Sequence, residues 1–243
     1  MSMSDNTRSS ELSAGARDTL PMLVGAAPFA IIFGSLTPSA HLALWQGQLM
    51  SLSVFAGSSQ FIGVGLMASA AGMLVIWLAT FIVNLRHTLY AATLLPHVRH
   101  LPFRWRWLLG FLLTDETFAI VNSHYIRRPG NAMAHWYFLG SGLAMYVNWQ
   151  CWTLIGLIFG AAFPQLQSMG LDYAMVVTFI AIVVPQLAKA PQLAAAITAG
   201  AVAYLLRGLP YKLGLMAATA AGVAVGMLLT RPNPQAIGNQ EQA

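Results

Sequence analysis

Apolar residues fill this chain in runs of helix length, separated by glycine, proline and short polar stretches. Eight runs can be marked, at residues 20–40, 42–70, 72–96, 107–126, 136–163, 169–188, 191–206 and 211–230. A helix needs about 20 predominantly apolar residues to cross a bilayer, and most of these runs reach that length. One such run would be an anchor. Runs repeated through the whole length predict an all-α, polytopic membrane helical bundle of about seven or eight transmembrane segments. The polar stretches 1–19 and 231–243 read as solvated tails around a single transmembrane domain at 20–230. The first stretch lacks the charged-then-apolar order of a cleavable signal.

Composition agrees. Only 8% of residues are charged and 57% are apolar, against about 25% charged in soluble domains. The net charge of +5 does not point to nucleic acid, because the basic residues sit at segment ends and form no stripe. The single Cys151 cannot make an internal disulfide and reads as inert helix packing. The Lys/Arg residues flanking eight simple crossings divide six to five between the two sides, too evenly to set orientation. Either one segment is miscounted or one is re-entrant. The glycine- and serine-rich second run is the candidate for the irregular one.

The two halves echo each other. Phe29-Ala30-Ile31 recurs as Phe118-Ala119-Ile120, Gln60 as Gln150, and Gly65-Leu66 as Gly156-Leu157, at offsets of 89, 90 and 91. Thr80-Phe81-Ile82 recurs as Thr178-Phe179-Ile180 and Leu89 as Leu187, both at 98. Three segments per half, at 20–96 and 107–188, would place the halves in opposite orientations, with extra helices at 191–230. That is the inverted-repeat plan of many secondary transporters, whereas a re-entrant segment in each half would make the repeat parallel instead.

One polar cluster stands out against this background. Asn84-Leu85-Arg86-His87 interrupts the third run. Arg86 lies about 21 Å along that helix from Gly72, at 1.5 Å per residue. A cation there is costly and usually faces other helices or a wet cavity on a transport path; the alternative is snorkelling to the headgroups. Asn84 and His87 share one helix face, and Arg86 and Tyr90 the adjacent one. At the offset of 98 the cluster falls opposite Ile182, Val184 and Pro185, so the other half builds its helix without these polar groups. Pro185 is then a candidate helix break across the site.

In the fourth run, Asp115 and Glu116 are adjacent and point about 100° apart on a helix. Asp115, which shares a face with Asn122, is favoured for the cavity. It is a candidate proton carrier and a candidate partner for Arg86, the plain alternative being a structural ion pair. Gly57-Ser58-Ser59-Gln60 brings small residues and hydrogen bonders together, either to open backbone amides for an anion or for close helix packing. Asn148 and Gln150 read as interhelical hydrogen bonders. Gly156-xxx-Gly160 and Gly222-xxx-Gly226 are close-packing motifs that could also meet a partner subunit. His97 and His100 lack further ligands, so no metal site is expected. No nucleotide-binding or hydrolase motif occurs, and neither a cofactor nor enzymatic activity is expected.

Three elements, Phe55-Ala56-Gly57-Ser58-Ser59-Gln60-Phe61, Asn84-Leu85-Arg86-His87-Thr88-Leu89-Tyr90 and Thr114-Asp115-Glu116-Thr117-Phe118, resemble the AzlC family in order and spacing. The segment Leu209-Pro210-Tyr211-Lys212-Leu213-Gly214-Leu215 before a small-residue helix is also similar to that family. The resemblance implies the large subunit of a two-component exporter of branched-chain and other hydrophobic amino acids, such as valine, leucine, isoleucine or methionine. It also implies an inner-membrane location and a small hydrophobic partner similar to AzlD.

The expectation is a secondary, proton-coupled exporter. Gly57, Ser58, Ser59, Gln60, Asn84 and Arg86 would bind the amino acid, and Asp115, Glu116 and His87 would carry the coupling proton. A passive channel for a small polar solute and a non-transporting assembly subunit are the alternatives.

Overall fold

A computed structural model describes residues 7–162, 184, 187, 189–209 and 213–230. Among these residues the regular structure is helical and no strand occurs. They fall into two compact units. The first holds α1 (Arg8–Leu36), a 3-10 turn (Thr37–Ala40), α2 (Leu44–Ser53), α3 (Gly57–Ala68), α4 (Met73–Val98), α5 (Phe103–Phe111), α6 (Asp115–Arg127) and α7 (Ala134–Ala162). The second holds α8 (Ala190–Leu205) and α9 (Leu213–Leu229). The sixth apolar run, with Pro185 and the Thr178-Phe179-Ile180 echo, lies outside the described residues except for Val184 and Leu187, and the stretch 231–243 lies outside them too.

Among the described residues, three helices, α1, α4 and α7, are long and apolar enough to cross a membrane. On α4, Leu74, Trp77, Leu78, Phe81, Leu85 and Leu89 all face outward at the three-and-four spacing of a single helix stripe. Such a stripe suits lipid.

Helix α1 begins at Arg8, far before the expected start near residue 20. Thr7 caps it, its side chain accepting from the Ser10 amide at 3.2 Å. Glu11, Gly15 and Thr19 are buried, so residues 8–19 are not a tail. They pack on α7. Gly140 meets Leu12, Asn148 donates to the Leu23 carbonyl at 3.1 Å, Gly156 meets Ile31 and Gly160 meets Ser35. Both series rise together, so α1 and α7 run parallel.

The approach is backbone to backbone. A Cβ on Gly156 would run into the Ile31 carbonyl, while the Ser35 hydroxyl donates to the Gly156 carbonyl at 3.2 Å and the Thr19 and Ser141 hydroxyls bond at 2.7 Å. This is small-residue packing with polar glue, spent inside the chain rather than on a partner. Gly156→Val should therefore lower the detergent melting temperature, with a cost of about 1–3 kcal/mol for overpacking. A wild-type melting curve would contradict the packing.

The second and fourth apolar runs are each broken. Helix α2 descends along α7, with Gly47 beside Leu157 and the Ser51 hydroxyl donating to Thr153 at 3.3 Å. The chain opens at Val54–Ala56, and α3 turns back, placing Phe61 against Phe29 and Phe33 and Gly63 beside Met50. Breaking a helix orphans its last carbonyls. Here α7 supplies the donors: Tyr146 to the Leu52 carbonyl at 3.0 Å and Gln150 to the Ser51 carbonyl at 3.2 Å.

Helices α5 and α6 repeat the plan from the other end. Helix α5 rises beside α7, with Trp105 on Trp136, Leu112 against Gly142 and Phe111 on Tyr146. After Leu112–Thr114 the chain reverses, and His124 of α6 stacks on Tyr137 at 3.7 Å. Asp115 therefore opens a helix instead of lying within one. The basic, aromatic stretch Arg104-Trp105-Arg106-Trp107 lies in the first half of α5.

The sequence offsets of 89–91 pair unlike elements. Phe29 lies in a 29-residue helix and Phe118 in one of 13 residues; Gln60 lies in one of 12 residues and Gln150 in one of 29. What recurs is a long helix followed by a hairpin: α1 with α2–α3, then α4 with α5–α6. Helix α4 runs alongside α6, through Arg86–Asp115, Tyr90–Phe118 and His97–Tyr125. It is thus antiparallel to α1 and α7. In the second unit, Gly222 packs on Ala195 and Ala199 and Gly226 on Ala195, so this motif too joins two helices of the same chain.

Candidate functional site

The tips of the two hairpins meet. Phe55 lies 6.4 Å from Phe111, and both rings close on Tyr146, at 5.0 and 5.7 Å. Just past each tip a helix begins, α3 at Gly57 and α6 at Asp115, and the side chain of Arg86 bridges their first turns. Its Nη1 stands 2.9 Å from Asp115 Oδ2, and its Nη2 donates to the Ser58 hydroxyl at 3.1 Å. Two residues before it on α4, Asn84 donates to the Ser59 hydroxyl at 3.3 Å. Arg86 stands at the middle of the 26-residue α4, and these partners hold its side chain.

The two helix starts differ. Thr114 caps α6, accepting from the Thr117 amide at 3.3 Å, and acidic side chains in the first turn suit the positive end of a helix. No side chain caps α3. Its leading amides are the kind of donors that bind an anionic group. Gly57 is held open by α7, since a Cβ there would stand 2.9 Å from the Trp149 ring.

The pair keeps polar capacity in reserve. Arg86 Nε, Asp115 Oδ1 and Asn84 Oδ1 are buried with no hydrogen-bond partner. The two charged side chains are 29% and 33% exposed. Tyr90, stacked on Phe118 at 4.4 Å, brings its hydroxyl to Asp115. These groups surround a place that offers a cation, an anion, free amides and aromatic walls.

The profile of the AzlC protein family matches residues 21–163, more than half of the chain. The chain belongs to the AzlC family. The match spans almost all of the first unit, including both hairpins and the Arg86–Asp115 pair. The chain is 28% identical to the branched-chain amino acid transport protein AzlC of Bacillus subtilis, over 70% of this chain and 66% of that one. It is 26% identical to the inner membrane protein YgaZ of Escherichia coli, over 62% of each, and 29% identical to a membrane protein of Archaeoglobus fulgidus, over 89% of this chain and 94% of that one. No solved structure matches. This AzlC protein is accordingly a multi-pass membrane protein of a transport family.

Of the residues expected to form the site in this AzlC protein, Ser58, Ser59, Asn84, Arg86 and Asp115 come together. Three others make no hydrogen bond to the side chains of this group. Glu116 turns back towards its own amide and Thr114, as the 100° separation from Asp115 requires. His87 Nδ1 lies 3.2 Å from the Asn84 carbonyl on its own helix. Gln60 is fully buried with neither amide atom hydrogen-bonded. Sequence reasoning placed Tyr90 on the face of Arg86 but gave no role to it, to Thr114 or to the Phe55–Phe111–Tyr146 tip, although Thr114 before two acidic residues is a helix-start signal. Asn148 and Gln150 are interhelical hydrogen bonders as read, whereas Cys151 is exposed on α7.

Proposed function

We propose that this chain is the large subunit of a secondary exporter of branched-chain and other hydrophobic amino acids, driven by protons across the inner membrane. The observation that carries this reading is the Arg86–Asp115 pair set between two helix starts at the middle of a membrane-length helix. An amino acid zwitterion carries the complementary charges. Its carboxylate would replace Asp115 on Arg86 and draw on the open amides of α3; its ammonium group would take Asp115 Oδ1. Phe55, Phe111, Tyr90 and Phe118 would accept the apolar side chain. Asp115 would alternate between Arg86, the ammonium group and a proton, so that the site is never left with an unbalanced charge.

In this reading α1, α4 and α7 cross the membrane, and the two hairpins enter from opposite sides and stop at the middle. The duplicated unit is then a crossing helix plus a re-entrant hairpin, inverted between copies. Such irregular backbone is tolerated at membrane depth where it lines a cavity. A small hydrophobic partner similar to AzlD would complete the transporter, as the family relationship suggests.

The test is flux from proteoliposomes loaded with valine, leucine, isoleucine, methionine and, as controls, glutamate and lysine, with and without a small partner subunit. Flux of the apolar amino acids that follows an imposed pH gradient, and none of the charged controls, is expected. Flux that ignores the gradient and shows no exchange would replace the carrier by a channel.

A further inference from the structure

A second ionisable cluster lies at the opposite end of α6 from Asp115. Glu11, in the first turn of α1, is 2% exposed, and His124, in the last turn of α6, is 5% exposed. Glu11 Oε2 and His124 Nε2 face each other at 3.5 Å, and neither atom has a hydrogen bond. The other carboxylate oxygen accepts from Asn131 at 3.0 Å and lies 3.8 Å from Arg128, whose side chain is 65% exposed. His124 stacks on the Tyr137 ring of α7, and the Tyr137 hydroxyl donates to Asp18 at 2.7 Å. The charged or titratable groups around the pair are therefore Asp18 from α1, Arg127 and Arg128 from α6, Tyr125 beside the imidazole and Tyr137 from α7.

Burying a carboxylate and an imidazole is costly unless both are satisfied, and helix packing alone asks for neither. Two facing, unbonded heteroatoms, one able to give a proton and one able to take it, form a place for a single exchangeable proton. The exposed Arg128 marks where the cluster opens to water. Nine residues of α6, about 13.5 Å at 1.5 Å per residue, separate His124 from Asp115, with Thr117, Asn122 and Ser123 between them on the same helix.

We propose that Glu11 and His124 form a second proton-binding site of this protein, at the membrane surface, which loads or unloads the proton that the Arg86–Asp115 centre uses. The inference rests on the proton-coupled reading above. The proton is held between Glu11 Oε2 and His124 Nε2 and passes to or from water at the Arg128 side; no bond other than those to the proton changes.

The experiment uses the full chain in proteoliposomes, with its small partner if flux requires one, and leucine as substrate. In Glu11→Gln, leucine exchange at equal pH should stay within twofold of wild type, because substrate binding does not need this proton. Gradient-driven flux should fall at least tenfold and lose its pH dependence. His124→Gln should do the same, the double variant should be no worse than either single one, and Glu11→Asp should recover pH dependence. Independently of flux, a pH-induced infrared difference band from a carboxylic C=O should be present in wild type and absent from Glu11→Gln. Unchanged gradient-driven flux in Glu11→Gln, or equal loss of exchange and driven flux in a variant that elutes normally, overturns the proposal. So does an infrared band that survives the substitution. Absence of all leucine flux in the wild type would instead count against the transporter reading, and the infrared comparison would still decide for or against Glu11.

Discussion

Arg86→Lys is expected to cut amino acid binding and exchange by about 10- to 100-fold while leaving the protein in the membrane. The guanidinium is used as a fork, one arm 2.9 Å from Asp115 and the other donating to Ser58 at 3.1 Å. A lysine ammonium is a compact point charge and cannot reproduce a two-armed planar geometry. It can keep the Asp115 contact or move to Ser58, but not hold both at the depth of the middle of α4. A hydrogen bond to a charged group contributes about 1.5–3 kcal/mol, which is roughly one to two decades in affinity. The measurement is leucine counterflow, together with the shift in melting temperature that leucine causes, in wild type and variant. Wild-type affinity in Arg86→Lys would show that the fork does not hold the substrate.

How much of this was legible follows from what is local. Arg86 and Asp115 stand in different apolar runs and carry opposite charges, and charges in a low dielectric must be paired or hydrated, so their meeting could be reasoned from composition and depth. The break before Gly57 was legible too, because a glycine and two serines interrupt an apolar run. The break before Asp115 was hidden. Leu112 and Leu113 are apolar, so the run reads as continuous even though Thr114-Asp115-Glu116 carries a helix-start signal.

The start of α1 could not be read at all. Arg8, Glu11, Arg17 and Asp18 look like a solvated tail, and what buries part of it is Asn131, His124 and Tyr137, over a hundred residues away. The repeat misled for a related reason. Short apolar words recur by chance in a chain this biased, while the recurring unit, a long helix and a hairpin, conserves a path through space. Tyr90 was legible as a neighbour of Arg86 on its helix face, but its stacking on Phe118 of another helix was not.

Asp115→Asn is expected to abolish gradient-driven export, and a companion double substitution separates function from support. The single change keeps shape and removes the anion, leaving Arg86 with only Ser58. Breaking a buried ion pair by removing one partner costs about 3–5 kcal/mol, and the partial exposure of both side chains moves this pair toward the lower end. A lower melting temperature for Asp115→Asn is therefore expected on either view and decides nothing by itself. Arg86→Met combined with Asp115→Leu removes both charges and fills the space, and replacing a buried pair in this way is often neutral or stabilising. If the pair only braces α4 against α6, the double variant should recover both its melting temperature and its transport. If the pair meets the zwitterion, the double variant should melt like wild type or higher and carry no leucine in exchange or under a gradient, because neither substrate charge has a counterpart. Asp115→Asn that still exports leucine in a pH-dependent way, or a double variant that transports, would leave Asp115 as a strut and move the coupling proton elsewhere.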